Sequence, residues 1–395
     1  MSSRIRLGVI GLGRAAMQML PSLAAHPEIS IVACADPNPA ARERFLAEFP
    51  GSAAFASTEE MCARGQIDAG YVATPHQLHR ENVLTLCAHG KHALVEKPMA
   101  LSPDDCRTMT DSARRTGVVL VVGHTHGFDP AIALIRKLIE GGELGALRMI
   151  TNFAYTPFLY RPRRPEELDT ALGGGIFYNQ VPHQIEMARA LARTPIRTVR
   201  AIAGRWDPAR PTEGAMSALL EFEDGVAASL TYSGYDHFDS DEFHFWVGEM
   251  GEEKKPDYGR SRRSLRDLNA AEELRLREAS GYAGRGGRPA SGEAMHHPHF
   301  GVLIVSCERA DLRPSADGVR VYDENGMREI DIPKARAYPN KDGAADEFAN
   351  AILRGVPPLH GGVWGTETMV AVAALLQSGR ERREIVLASE ASAKV

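Results

Sequence analysis

Cysteine is scarce and scattered, with five residues at positions 34, 62, 87, 106 and 307 and no C-x-x-C pair. That excludes a zinc ribbon, a redox dithiol motif and a regular disulfide framework. The expectation is reduced thiols that pack as small apolar side chains, in a cytoplasmic protein. No apolar run is long enough to cross a bilayer, and Met1-Ser2-Ser3-Arg4-Ile5-Arg6 carries no signal-peptide pattern. Membrane and signal-peptide readings are therefore set aside. Excess positive charge is missing too. Lys and Arg number 46 against 51 Asp and Glu, a formal net charge of −5, so no nucleic-acid partner is expected.

What is present is ordinary for a globular protein, with 44% hydrophobic and 25% charged residues. A chain of 395 residues exceeds the usual single core, so two domains are expected, 1–125 and 126–395. In the first, apolar runs at 6–10, 29–35, 69–73, 93–95 and 118–122 alternate with helical patterns near 14–23, 76–90 and 103–116. Such alternation predicts an α/β fold with a parallel sheet. In the second, runs at 149–155, 199–203, 217–222, 226–233 and 243–247 read as strands of a mostly antiparallel sheet. Helices are expected at 131–140, about 179–192, 343–354 and 365–378, with a last strand at 384–387. Residues 249–298 form a polar insertion with ten Lys/Arg against five Asp/Glu between 254 and 288. It reads either as a surface loop or as a basic flap over an anionic ligand.

Gly11-x-Gly13-x-x-Ala16 follows the first strand and opens a helix, the setting a dinucleotide fingerprint requires. The glycines permit a tight turn and close approach to pyrophosphate, and Ala16 permits close helix–strand packing. Asp36 ends the second strand, where a carboxylate accepts hydrogen bonds from ribose hydroxyls. NAD is the expected cofactor. NADP stays open, because Arg14 or Arg42 can reach a 2′-phosphate. Thr74 and Pro75 end the third strand and face the cofactor side, with His79 either joining them or capping a helix. Glu96-Lys97-Pro98 turns the chain after the run 93–95. Lys97 is either a solvated turn lysine or an ammonium that steadies charge on a substrate oxygen.

Gly173-Gly174-Gly175 leads through Tyr178, Asn179 and Gln180 to His183. Asn179 and His183 are four apart, so on one helix they share a face. His183 is a candidate general base, or else a core histidine. His124 and His126 read as pocket lining rather than zinc ligands, since no carboxylate or cysteine is seen at ligand spacing. No metal is expected. Arg161, Arg163 and Arg164 lie on a proline-stiffened segment that could clamp a carboxylate, or serve as a solvated loop.

In this order the motifs resemble the Gfo/Idh/MocA oxidoreductases, over nearly the whole chain. The resemblance implies an N-terminal Rossmann domain with a doubly wound sheet. It also implies a C-terminal α/β domain with a large open sheet, often used to form oligomers, so a homodimer or homotetramer is expected. Lys97 and His183 are implied as the catalytic pair. Asn179 stands where the family usually has Asp, and can orient a hydroxyl without taking its proton. Glu96 and Lys97 join Gly11, Gly13, Arg14, Ala16, Asp36, Thr74, Pro75 and His79 on the cofactor side. His124, His126, Arg161, Arg163, Arg164, Tyr178 and Gln180 fall on the side of a small-molecule substrate, read as anionic. Stretches 122–126, 158–169 and 204–208 are similar to members that oxidise aromatic cis-dihydrodiol dicarboxylates to catechols. A sugar or inositol dehydrogenase, and a redox-silent NAD-binding regulator, are the alternatives.

Overall fold

Six apolar runs near the N-terminus assemble into one parallel sheet. They are β1 (Ile5–Ile10), β2 (Ile29–Ala35), β3 (Ala53–Phe55), β4 (Ala69–Val72), β5 (His92–Glu96) and β6 (Leu120–Gly123). The computed structural model describes residues 4–282, 284, 295–334 and 339–387. The strand order is β3-β2-β1-β4-β5-β6, with every pair parallel. The order reverses between β1 and β4, and the carboxyl ends of strands at such a switch point form a ligand crevice. β4 and β6 are buried along their whole length, as strands covered on both faces must be. Three-residue β3 has too few positions to show a period, and so was not anticipated.

Local chemistry explains the helices between them. Pro103–Thr116 starts on Ser102, whose hydroxyl accepts from Asp105 N, and carries Asp104 and Asp105 in its first turn. It ends on Gly117, whose φ of 69° suits a left-handed cap. The edge of β6 is covered, because Val122 N donates to His360 O at 2.8 Å.

The contacts divide the described residues into two units, and the first includes 274–282, 284 and 341–369 besides 4–124. The second unit holds β7 (Leu147–Tyr155), β8 (Ile196–Gly204), β9 (Ala215–Phe222), β10 (Ala227–Ser233), β11 (Val302–Cys307), β12 (Asp311–Pro314), β13 (Gly318–Asp323), β14 (Gly326–Asp331) and β15 (Ile385–Val386). Their order is β14-β13-β12-β11-β7-β10-β9-β8-β15. Only β7 and β10 pair in parallel, so the sheet is mixed and mostly antiparallel. Helix Val181–Ala192 packs on it and is buried on nearly every side. Met149, Ile202, Leu219 and Ile304 are exposed on its strands.

Three expectations need correction. Phe243–Val247 is not a strand: Ser240–His244 forms a 3-10 turn, and Phe245 and Trp246 are left-handed, with φ 61° and 56°. Asp239 accepts from Asp241 N and starts that turn, so side-chain capping overrides the alternating pattern. The helix expected over 179–192 is two, Gly175–Asn179 and Val181–Ala192, broken at Gln180. Pro182 has no N–H for the carbonyl four residues back, and its ring would clash there. Finally, the insertion is not a structureless loop. It forms helices Arg260–Leu265 and Ala270–Ala279, while 283 and 285–294 lie outside the described residues. Much of its positive charge is already matched. Lys254 meets Asp239 and Asp241, Arg263 meets Asp257, and Arg262 lies 4.1 Å over the Tyr160 ring.

Candidate active site

In the first unit, the turn after β1 needs glycine. Gly11 has φ 84°, and a Cβ there would lie 2.8 Å from Thr74 N. Helix Arg14–Ala25 starts at Gly13 with no side-chain cap and no acidic residue in its first turn, so its N–H groups face outward unneutralised by side chains. Ala16 is fully buried under the helix, and Arg14 is exposed on its first turn. Asp36 reaches back to the turn: its Oδ2 accepts from Leu12 N at 2.7 Å and its Oδ1 from Asn38 N at 2.8 Å. Arg42 is drawn to the carbonyls of Asp36 and Pro37. The buried Thr74 hydroxyl has no hydrogen-bond partner among the described residues. A cradle a Cβ would fill, an uncapped helix start, a carboxylate at the strand end and an orphaned hydroxyl together fit a dinucleotide.

His79 plays a different part from the one expected. It is fully buried, with Nδ1 2.9 Å from Pro98 O and Nε2 3.0 Å from Thr74 O. Burial lowers its pKa, so it is a neutral strut between the two turns and presents no nitrogen to a ligand. The Glu96 carboxylate accepts from Tyr71 Oη at 2.6 Å. Burial pushes the Glu96 carboxyl up, opposed by the Tyr71 hydrogen bond and by the charges of Lys97 and Lys341. Lys97 therefore stands on a turn propped by His79 and next to a buried carboxyl group. The bond between Lys97 and Pro98 is cis. His124 is buried near His360, whose Nδ1 lies 3.0 Å from Glu347.

The second unit gathers a separate cluster. His126 Nδ1 lies 2.8 Å from Asp129 Oδ2, and Asn340 Nδ2 donates to Asp129 Oδ1 at 3.0 Å. A carboxylate thus does stand beside these histidines, three residues on. Burial works against charge on His126, but Asp129 and Glu249 outweigh it and lift its pKa to about 10. The His126 ring meets His183 edge-on at 4.7 Å, and Phe300 lies 4.9 Å from both. Glu249 is 3.8 Å from His126 Nε2 and 3.9 Å from Arg161 Nη2.

The three arginines diverge. Arg163 lies 4.0 Å over the Phe158 ring and bonds the Phe158 carbonyl, and Arg164 pairs with Glu166 and Glu167. Arg161 meets the histidine cluster at Glu249, 3.9 Å away. Asn179 does not share a helical face with His183; its Nδ2 donates to Gly175 O at 2.7 Å and Gly173 O at 3.1 Å, bracing the glycine loop. Gln180 is buried at the helix break, and Tyr178 is half-buried, with burial raising its pKa. Tyr71, Asp129, Glu249, Phe300, Asn340 and Lys341 were not singled out from the sequence. Of these, only Asp129 carried a local signal, its spacing from His126.

Residues 5–124 match a family model described as an oxidoreductase family with an NAD-binding Rossmann fold, and residues 132–251 match a GFO/IDH/MocA C-terminal domain. The chain is 42% identical over 383 residues, 95% of each chain, to 1-carboxy-3-chloro-3,4-dihydroxycyclohexa-1,5-diene dehydrogenase of Comamonas testosteroni. This chain belongs to the Gfo/Idh/MocA family. It is an NAD-binding oxidoreductase, a dehydrogenase. Among solved structures, a Bordetella bronchiseptica RB50 chain is 44% identical with a TM-score of 0.91, covering 97% of this chain and 100% of that one. An Agrobacterium radiobacter oxidoreductase crystallised with NAD+, L-tartaric acid and magnesium shares the family fold, with a TM-score of 0.72 at 17% identity over 97% of this chain and 98% of that one. No described helix is long and apolar enough to cross a membrane.

Proposed function

We propose that this dehydrogenase oxidises a cis-diol of a carboxylated cyclohexadiene, giving a hydroxy-ketone that tautomerises to a catechol carboxylate. The observation that carries the reading is the likeness to the Comamonas testosteroni diene-diol dehydrogenase along 95% of both chains. A cationic corner in the second unit, His126 with Arg161, suits an anionic substrate. Gly11, Gly13, Asp36 and Thr74 would hold the dinucleotide, with Glu96 helping to set the adjoining turn, and the nicotinamide would supply a hydride acceptor for the reacting carbinol carbon.

In this reading Lys97 hydrogen-bonds the reacting oxygen, and its positive charge lowers the cost of losing the hydroxyl proton. His183 takes that proton. Asn179 is a positioning residue that fixes the loop ahead of His183. Domains of 1–125 for the cofactor and 126–395 for substrate and assembly follow from the same reading. The exposed apolar residues Met149, Ile202 and Leu219 suit a homodimer or homotetramer formed through the sheet. Five free cysteines, four of them buried, suit the cytoplasm.

A second reading, a sugar or inositol dehydrogenase, is favoured by relatives such as the inositol 2-dehydrogenase of Rhizobium meliloti, 27% identical over 59% of this chain. NADH formation separates the two across a panel of benzoate and phthalate cis-dihydrodiols, inositols and sugars. Turnover of the dihydrodiols, lost by about a hundredfold or more in Lys97→Ala with NAD affinity kept, supports the proposal. Turnover confined to neutral polyols overturns it.

A further inference from the structure

We infer that Asp129 and His126 are positioning residues for His183: Asp129 holds His126 as a permanent cation, which leaves His183 as the neutral ring of the pair. The inference rests on the reading of His183 as the proton acceptor. It says why that histidine, and not its neighbour, takes the proton.

The geometry fixes the charge of His126 first. Its Nδ1 lies 2.8 Å from Asp129 and its Nε2 3.8 Å from Glu249. Both ring nitrogens face carboxylate oxygens, and only the imidazolium has a proton for each. Asp129 in turn accepts from His126 at one oxygen and from Asn340 at the other, the pattern of a carboxylate rather than an acid. Both members of the pair are buried, so solvent and salt screen it little.

His183 meets this cation directly. The two rings stand edge-on, 87° apart with centroids at 4.7 Å, and Phe300 packs 4.9 Å from each. Two imidazolium rings at that distance repel, so a proton on His126 opposes a proton on His183. Where two neighbouring titratable groups are driven apart in this way, the neutral one is the base.

Other charges surround His183 as well. Its own helix, Val181–Ala192, buries Glu186 and Arg189. That helix packs against the turn His126–Phe128, helices Gly175–Asn179 and Pro130–Glu140, and strands β7 and β10. From these come Tyr178 and Tyr232, while the buried residues of Pro130–Glu140 are apolar. Arg161 stands 3.9 Å from Glu249. All of these groups are common to the parent protein and to His126→Gln, so a difference between the two reads His126 alone.

The test follows both imidazoles by NMR in the full-length, NAD-bound enzyme labelled at histidine Cε1, the resonances assigned by His126→Gln and His183→Gln. Between about pH 5 and about pH 8.5 only the His183 resonance should titrate in the parent, since His126 keeps its proton to about pH 10. His126→Gln keeps a donor for Asp129 and loses the charge. Asp129 offsets part of the repulsion in the parent, so the His183 midpoint should rise by about one pH unit in this variant. The lower limb of kcat/KM should move up with it. Asp129→Asn should bring His126 into the same range, so that both resonances move. Two titrating resonances in the parent, or a His183 midpoint that stays in place in His126→Gln, overturns the inference. A rate loss equal at every pH, with that midpoint unmoved, marks a purely structural role and overturns it too. The first of these outcomes needs only the parent, so the test survives a variant that does not fold. If the dihydrodiols are not oxidised while the resonances behave as stated, the proposed reaction fails and the division of charge stands.

Discussion

Replacing Asp129 by Asn probes the buried pair on which the second-unit cluster is built. His126 and Asp129 are 3% and 2% exposed and 2.8 Å apart. Removing one member of such a pair costs about 3–5 kcal/mol. Here the low end, about 3 kcal/mol at neutral pH, is expected, because His126 can surrender its proton and Glu249 remains nearby. The pH dependence is the sharper readout. The folded pKa of His126, about 10, is raised above an unfolded value of about 6.5. The folded state therefore holds a proton that the unfolded chain has lost between those values. Stability from the pair is full below about pH 6.5 and falls by up to about 1.4 kcal/mol per pH unit above it. Burial raises Asp129 as well, which has the same sign. From about pH 7 to about pH 9.5 the parent protein should lose about 3 kcal/mol through this group, and Asp129→Asn, which keeps only Glu249 beside His126, should lose clearly less. The gap between the two should narrow across that range. Denaturant unfolding of both proteins at the two pH values measures it. Parallel losses, with the gap unchanged, would refute the charge assignment.

Two further outcomes follow from the geometry. Gly11→Ala meets backbone at 2.8 Å and takes on a left-handed residue at a cost of about 1–2 kcal/mol, so NAD affinity should fall by about tenfold or more in a fluorescence titration. Gly90→Ala has a similar φ, 65°, with open space around it, and should leave that affinity unchanged; equal losses would rule out the close approach as the cause. Glu273→Gln breaks a part-buried bidentate pair with Arg210, at 2.7 and 3.0 Å, that holds the first turn of helix Ala270–Ala279. Proteolysis within 249–298 should accelerate several-fold, and an unchanged cleavage rate would show that other contacts hold the helix.

Much of the first unit was legible because its signals are local. Apolar runs, the spacing of Gly11 and Gly13, and the carboxylate at 36 each act through neighbouring backbone, and the structure puts Asp36 on Leu12 N. Polar spans were harder. The alternation at 243–247 gave way to a cap from Asp239, and one helix became two at Gln180. The short strands β11 to β14 take their stability from pairing partners that no single segment displays.

The sequence by itself determined the cofactor fold and the family, and it named Lys97 and His183 as the candidate pair. Which groups meet was decided by tertiary structure. Of three arginines within four consecutive positions, Phe158 holds one and the glutamates at 166 and 167 another, while Arg161 lies beside Glu249 of the cluster. His124 and His126, two residues apart, take unrelated partners in His360 and Asp129. Tyr71 reaches Glu96 across 25 residues, and Asn340 reaches Asp129 across 211. Backbone preference acts over a few residues, whereas burial makes every polar group find a partner wherever the fold supplies one.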